Sequence, residues 1–148
     1  MLLVYEFELV KDQGVFAALP FDFEGGTQGR SVREATDAAS DWLQMTVEHY
    51  AMHGLELPEA SFGNEVRYGG KVILVASDAG LETVRKMMAS EAARMLGVTP
   101  GRVTQMYTAG KIEGFKEGRH LWIPKDAVRA RLAAAPRAGR PAKNSAKR

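Results

Sequence analysis

Cysteine is absent from this chain of 148 residues. That excludes a disulfide framework and a cysteine-ligated zinc site, and it suits a reducing compartment. Long apolar runs are missing as well: a run such as Val72 to Ala76 is far too short to cross a bilayer. The opening residues, Met1 to Phe7, hold Glu6 and no basic side chain, so they do not read as a signal peptide. The expectation is a cytoplasmic protein without a membrane segment. Basic charge is scarce in the first half. Residues 1–78 hold 5 Lys or Arg against 13 Asp or Glu, a net of −8, and residues 79–148 hold 15 against 5, a net of +10. The overall charge of +2 conceals a dipolar chain. Its basic half suits a polyanion, and its acidic half must face a different partner or solvent. The length allows one moderate domain or two small ones, and the charge split favours two.

Arrangements that carry catalysis are also missing. No Ser, Cys or Lys nucleophile constellation stands out, and no glycine-rich phosphate loop follows a strand. Carboxylates are numerous, at Glu6, Glu8, Asp22, Glu34, Asp37 and Asp41, as a two-metal nuclease would need. Glu6 and Glu8 share a strand face and resemble ligands, but Asp37 and Asp41 sit where a helix meets water. His49 and His53 stand at i, i+4 without a third ligand nearby and read as structural. The chain is expected to be no enzyme, with no catalytic residues, no metal and no cofactor.

What is present begins with a period-two pattern. Leu3, Tyr5, Phe7 and Leu9 alternate with Val4, Glu6, Glu8 and Val10, which predicts a strand with one buried face. Asp12-Gln13-Gly14 is a turn, and Val15 to Leu19 pairs back as a hairpin. After Pro20 and Gly25-Gly26, a short third strand falls near Thr27 and Gln28. Ser31-Val32-Arg33-Glu34 is a capping box. It opens a helix to about His53, whose core stripe reads as Ala35, Ala38, Ala39, Trp42, Met45, Thr46 and His49. Residues 63–70 read as a loop or hairpin. Lys71 to Ala76, almost wholly apolar, reads as a central strand. The class is α+β, in the order β-β-β-α-β, for a domain spanning 1–78.

The second half is punctuated more sharply. Ala92, Ala93 and Leu96 share one side of a short helix that Gly97 stops. Thr99 and Pro100 restart a second helix to about Thr108. Val103, Met106 and Tyr107 form its apolar face, leaving Gly101, Arg102, Thr104, Gln105 and Thr108 outward. Arg can bond guanine edges or phosphate, and Gln can bond adenine. Gly110 ends this helix, and Ile112 turns the chain into the core. Gly114 to Pro124 forms a hairpin around Glu117-Gly118-Arg119 that presents Lys116 and Arg119, the types that grip phosphate. The order EAA, LGV, AGKI, GR and LWIP resembles the excisionase and MerR type of winged helix-turn-helix. That resemblance implies DNA binding by residues 89–135, with Thr99, Gly101, Arg102, Thr104, Gln105, Thr108, Lys111, Lys116 and Arg119 as contacts. It also implies a homodimer or higher even oligomer on two half-sites.

Between the halves, residues 79–88 carry Leu81, Val84 and Met88 at helical spacing and read as a helical linker. The tail, 136–148, has no apolar side chain larger than alanine or proline and reads as a basic disordered segment. Its Gly139-Arg140-Pro141 is half of a minor-groove motif, which adds Arg140 to the DNA contacts.

The first half carries a resemblance of its own. The Gly14 turn, the loop after Pro20, Thr27-Gln28-Gly29 before the helix cap, Glu34-Ala35 and Leu57-Pro58 are similar to the HicB family of antitoxins. The resemblance implies a partial ribonuclease-H-like fold without its nuclease site. It also implies a small basic RNA-cleaving toxin, HicA, as partner and repression of the protein's own operon. The net charge of −8 suits such a toxin, and Asp12, Asp22, Glu24, Glu56 and Glu59 are the candidate contacts. The competing expectation is a transcription regulator whose first domain senses a ligand or only dimerises.

Overall fold

The computed structural model describes residues 1–134; the basic tail with Arg140 lies outside the described residues. The described residues form two compact units, the first Met1–Val84 and the second beginning at Arg85. Both are mixed α and β with antiparallel sheets.

In the first unit, β1 (Leu2–Asp12) and β2 (Val15–Pro20) make a hairpin. Its two-residue turn places Gln13 and Gly14 at positive φ, 52° and 80°, the conformation whose twist matches that of the flanking strands. β3 (Thr27–Gly29) pairs with β2. Helix α1 (Val32–Met52) follows at once. Ser31 Oγ accepts the Glu34 N–H at 3.0 Å, and the Glu34 carboxylate accepts the Arg30 N–H at 2.6 Å. The strand and helix approach so closely here that a Cβ on Gly29 would lie 2.5 Å from the Ala35 nitrogen. Only glycine fits.

α1 lies across the sheet on a stripe of Ala35, Ala39, Leu43 and Val47, packed with Tyr5, Phe7, Leu9 and Val75. This corrects the expected stripe. Met45 and His49 are exposed, Ala38, Trp42 and Thr46 are half-buried, and Leu43 and Val47 take the core. Apolar side chains occupy several sides of α1, so spacing alone allowed more than one choice; the i, i+4 row of small and aliphatic residues fits closest to the sheet.

β4 (Lys71–Asp78) runs antiparallel to β1, and the strand order is β3-β2-β1-β4. The expected central strand is therefore an edge strand. The connection from Gly54 to Gly70 carries the chain back along the sheet before β4 begins. Only one row of the apolar run is covered: Val75 is buried and Ile73 half-buried, whereas Val72 and Leu74 are 36% and 66% exposed.

The segment expected as a helical linker is also corrected. It holds one turn of 3-10 helix (Leu81–Thr83) and then strand β5 (Lys86–Met88). Ladder pairing of Met87 with Ile123, on a strand later in the chain, buries Met87 and outweighs the helical spacing of its neighbours. The second unit continues with α2 (Ala89–Leu96), α3 (Pro100–Thr108), β6 (Phe115–Glu117), β7 (His120–Pro124) and α4 (Lys125–Ala134). Its sheet order is β5-β7-β6. Met87, Ala92, Ala93, Val103, Met106, Ile112, Ile123 and Val128 form its core.

Candidate nucleic-acid interface and acidic groove

In the second unit the chain reverses twice within a few residues. Gly97, at φ 71°, lets the Val98 N–H reach the Ala93 carbonyl at 3.0 Å and so closes α2. Thr99 Oγ1 then accepts the Arg102 N–H at 3.1 Å and opens α3, with Pro100 in its first turn. Val103 and Met106 are buried. Gly101, Gln105 and Thr108 consequently run along the outer face at i, i+4, i+7, with Arg102 and Thr104 beside them, all exposed. The Thr104 hydroxyl donates back to the Pro100 carbonyl at 3.2 Å. Lys111 follows Gly110, whose φ is 75°. At the tip of the β6–β7 hairpin, Gly118 at φ 62° makes the reversal, and Lys116 and Arg119 are exposed. Among the described residues, Arg102, Lys111, Lys116 and Arg119 form no ion pair within 4.0 Å. All four side chains are exposed to solvent.

In the first unit, the residues after β2 and the connection after α1 enclose an open groove of about 840 Å³. Asp22, Glu24 and Glu56 line it, beside Phe21, Phe23, Trp42 and Tyr50. Phe23 is the hub of the aromatic wall. It meets Tyr5, Trp42 and Tyr50 edge-on, at ring-centre distances of 4.8, 5.8 and 5.8 Å. Asp22 is held in place by Ser61, which donates its N–H at 3.0 Å and its hydroxyl at 2.7 Å. Glu24 and Glu56 are exposed at the rim. The Tyr5 hydroxyl donates to the Pro58 carbonyl at 2.7 Å, and burial pushes its pKa up. Thus three of the five candidate acids share one groove. Asp12 does not join them: it sits at the β1–β2 hairpin turn, paired with Val15, and is outside the lining. Glu59 is exposed and outside the lining.

Two acids that resembled metal ligands have a different role. Glu8 is fully buried and Glu6 nearly so. The loop from Ser61 to Gly70 closes over them and satisfies each carboxylate with backbone amides. Glu6 accepts the N–H groups of Gly63 and Asn64, both at 3.0 Å, and the Asn64 side-chain amide at 2.9 Å. Glu8 accepts the N–H groups of Arg67, Tyr68 and Gly70 at 2.7, 3.0 and 2.9 Å. Hydrogen bonds from Asn64 and Gly63 hold the Glu6 carboxyl below its usual range. Burial pushes Glu8 up, but the amides of Arg67, Gly70 and Tyr68 with the Arg67 guanidinium outweigh it and hold that carboxyl low too. The guanidinium is 3.9 Å from Glu8, stacks over Phe21 at 4.4 Å and donates to the Pro20 carbonyl. It ties the loop to one wall of the groove. Among the described residues no group of three or more His, Asp or Glu side chains is placed to hold a metal ion. His53 Nδ1 contacts the His49 carbonyl at 2.8 Å, at the end of α1.

No protein-family model matches the chain, and no curated protein matches it. Among solved structures, it is similar to one described as a toxin-antitoxin complex from Streptococcus pneumoniae. The identity is 21% and the TM-score 0.48, over 75% of this chain and 99% of that one.

Proposed function

We propose that the chain is an antitoxin of the HicAB kind, which binds a small basic RNA-cleaving toxin through its first unit and its own operator DNA through its second. The observation that carries this reading is the division of charge between units that each present a site. The first unit holds 5 basic against 14 acidic residues, net −9, and the second 15 against 4, net +11.

In this reading α2, α3 and the β6–β7 hairpin act as a winged helix-turn-helix. The outer face of α3 enters a major groove, Arg102 and Gln105 read base edges, and Lys116 and Arg119 grip phosphates on either side. Two copies read two half-sites as a twofold pair. The acidic groove takes a Lys or Arg side chain of the toxin. Its aliphatic stem lies against Phe23 and Trp42, and its charge meets Glu24 and Glu56. A toxin held by its cationic surface cannot hold RNA by the same surface, so occupancy of the groove is neutralisation.

Two measurements test the halves separately. Gel shifts on DNA upstream of the gene should show specific binding, and Arg102→Ala with Gln105→Ala should lower discrimination between operator and random DNA by about 1–3 kcal/mol per lost base contact. Equal discrimination by wild type and variant removes the recognition role of α3. For the other half, the product of a neighbouring gene for a short basic protein is co-expressed and co-purified. Glu24→Lys with Glu56→Lys should abolish both capture and relief of toxicity. Unchanged capture by that variant removes the groove from the reading.

A further inference from the structure

The outer edge of β4 is an open hydrogen-bonding surface. The Ala79 N–H bonds the Met1 carbonyl, and β1 and β4 pair in register from Leu2–Asp78 to Leu9–Lys71. Odd-numbered residues of β4 therefore spend their backbone groups on β1, and the even ones, Val72, Leu74 and Ala76, turn theirs outward. No described strand pairs with that side. One group is engaged: Ser40 Oγ donates to the Ala76 carbonyl at 2.8 Å, which leaves that oxygen a second lone pair. Natural edges carry charge, proline or a bulge against accidental pairing. From Val72 to Ser77 this one has no charged residue and no proline.

The side chains of the same even positions are apolar and exposed. Leu74 and Val72 lie opposite Glu6 and Glu8 of β1. The loop bound to those carboxylates therefore covers the neighbouring part of this face, and it exposes Phe62, Val66 and Tyr68. Five backbone N–H bonds to two buried carboxylates fix it over β1.

We propose that β4 pairs antiparallel with β4 of a second copy, about a twofold axis at Leu74. Three observations favour a second copy over another occupant. In this register Leu74 meets Leu74 of the copy and Val72 meets Ala76, so apolar faces apolar at these three positions, and Asp78, the remaining even residue of the strand, falls opposite Gly70. The strand starts at Lys71 and ends at Asp78; antiparallel pairing brings the positive end of each beside the negative end of the other. Finally, the unit carries net −9, which repels a second copy over most of its surface but not along this uncharged edge. The inference deepens the proposed DNA reading, since a twofold operator complex needs an interface that joins two chains, and it rests on that reading for its purpose.

The absence of cysteine makes a direct test possible in the full chain. Paired residues of this kind have Cα atoms about 5.5 Å apart, inside the range a disulfide spans. Leu74→Cys should give a disulfide-linked dimer under mild oxidation, while Met45→Cys, equally exposed on α1, should not. In sedimentation, Leu74→Lys should raise the dimer dissociation constant by roughly tenfold or more, because two like charges then meet on the axis. A wild-type monomer overturns the inference, as does a dimer that Leu74→Lys leaves intact and Leu74→Cys does not cross-link. A Leu74→Lys chain that loses a co-expressed basic partner while the wild type alone is monomeric overturns it too, by giving the edge to another protein. Operator binding is scored separately. Cross-linking without DNA binding removes the operator reading and keeps the strand pairing, and DNA binding by an unlinked dimer does the reverse.

Discussion

Glu8→Gln tests whether the buried carboxylates organise the first unit. The substitution preserves shape and removes only the charge and one acceptor. Arg67 donates to Oε1, and Tyr68 and Gly70 donate to Oε2. A glutamine that points its oxygen at Tyr68 and Gly70 turns its NH2 toward the Arg67 N–H, donor against donor, in a site without solvent access. The best orientation thus strands one buried amide, at about 1–3 kcal/mol, and weakens two bonds from charged to neutral acceptors at about half to one kcal/mol each. The sum is about 3 kcal/mol, or roughly 15 °C in the unfolding midpoint of a unit this small.

The effect must also depend on pH with a defined sign. The folded Glu8 pKa lies below the unfolded value of about 4.3. The carboxylate's stabilisation is therefore fully present above that pH and is lost as pH falls through the lower, folded value. Wild type and Glu8→Gln should differ most at neutral pH and converge in acid. Urea titrations followed by Trp42 fluorescence suffice if the second tryptophan, Trp122, is replaced by Phe, since Trp42 is in the first unit and Trp122 in the second. Equal midpoints at pH 7, or a difference that persists unchanged in acid, would refute the claim that charge-assisted bonds hold the loop.

Two further outcomes follow from the geometry. Gly29→Ala places a Cβ 2.5 Å from the Ala35 nitrogen and 2.7 Å from the Glu34 carbonyl carbon, so it should cost about 1–3 kcal/mol, as overpacking does; the Trp42 transition should move to lower urea while that of Trp122 stays in place. Lys116→Ala and Arg119→Ala should each weaken binding to all DNA sequences alike and reduce the slope of log K against log salt by about 0.9. A slope that matches wild type would remove that side chain from the phosphate contacts.

How far each feature was legible in the sequence follows from how far away its partners lie. The ends of α2 and α3 are written in Gly97, Thr99 and Pro100, residues that act within one helical turn, and the observed bounds follow them. The β1–β2 hairpin is as local, with strict alternation on one side and Gln13-Gly14 at the turn. By contrast, the amides that satisfy Glu6 and Glu8 come from 57 to 62 residues downstream. Alternation puts both carboxylates on the face away from α1, which normally means solvent; no local signal shows that a loop returns to bury them. Gly63 and the Gly69-Gly70 pair mark a loop there but not what it covers. β4 departs from its expected place for the same reason: an unbroken apolar run implies burial on two sides, but whether a strand is central depends on where a long connection delivers it.

The groove divides along this line too. Type and charge single out its acids one by one, but Asp22 and Glu24 reach Glu56 only because α1 brings the two connections together, around Phe23. That side chain contacts Tyr5 from β1 and Trp42 and Tyr50 from α1, three partners that sequence spacing does not associate. Under the proposed function, a cation that enters the groove is selected twice. The acids attract it from a distance, where unit charge acts over about a Debye length, and the aromatic wall then favours a long, partly apolar stem over a bare ion. Charge composition made the first selection legible. The second belongs to the packing around Phe23, which sets the acidic groove apart from the exposed acids at Asp12 and Glu59.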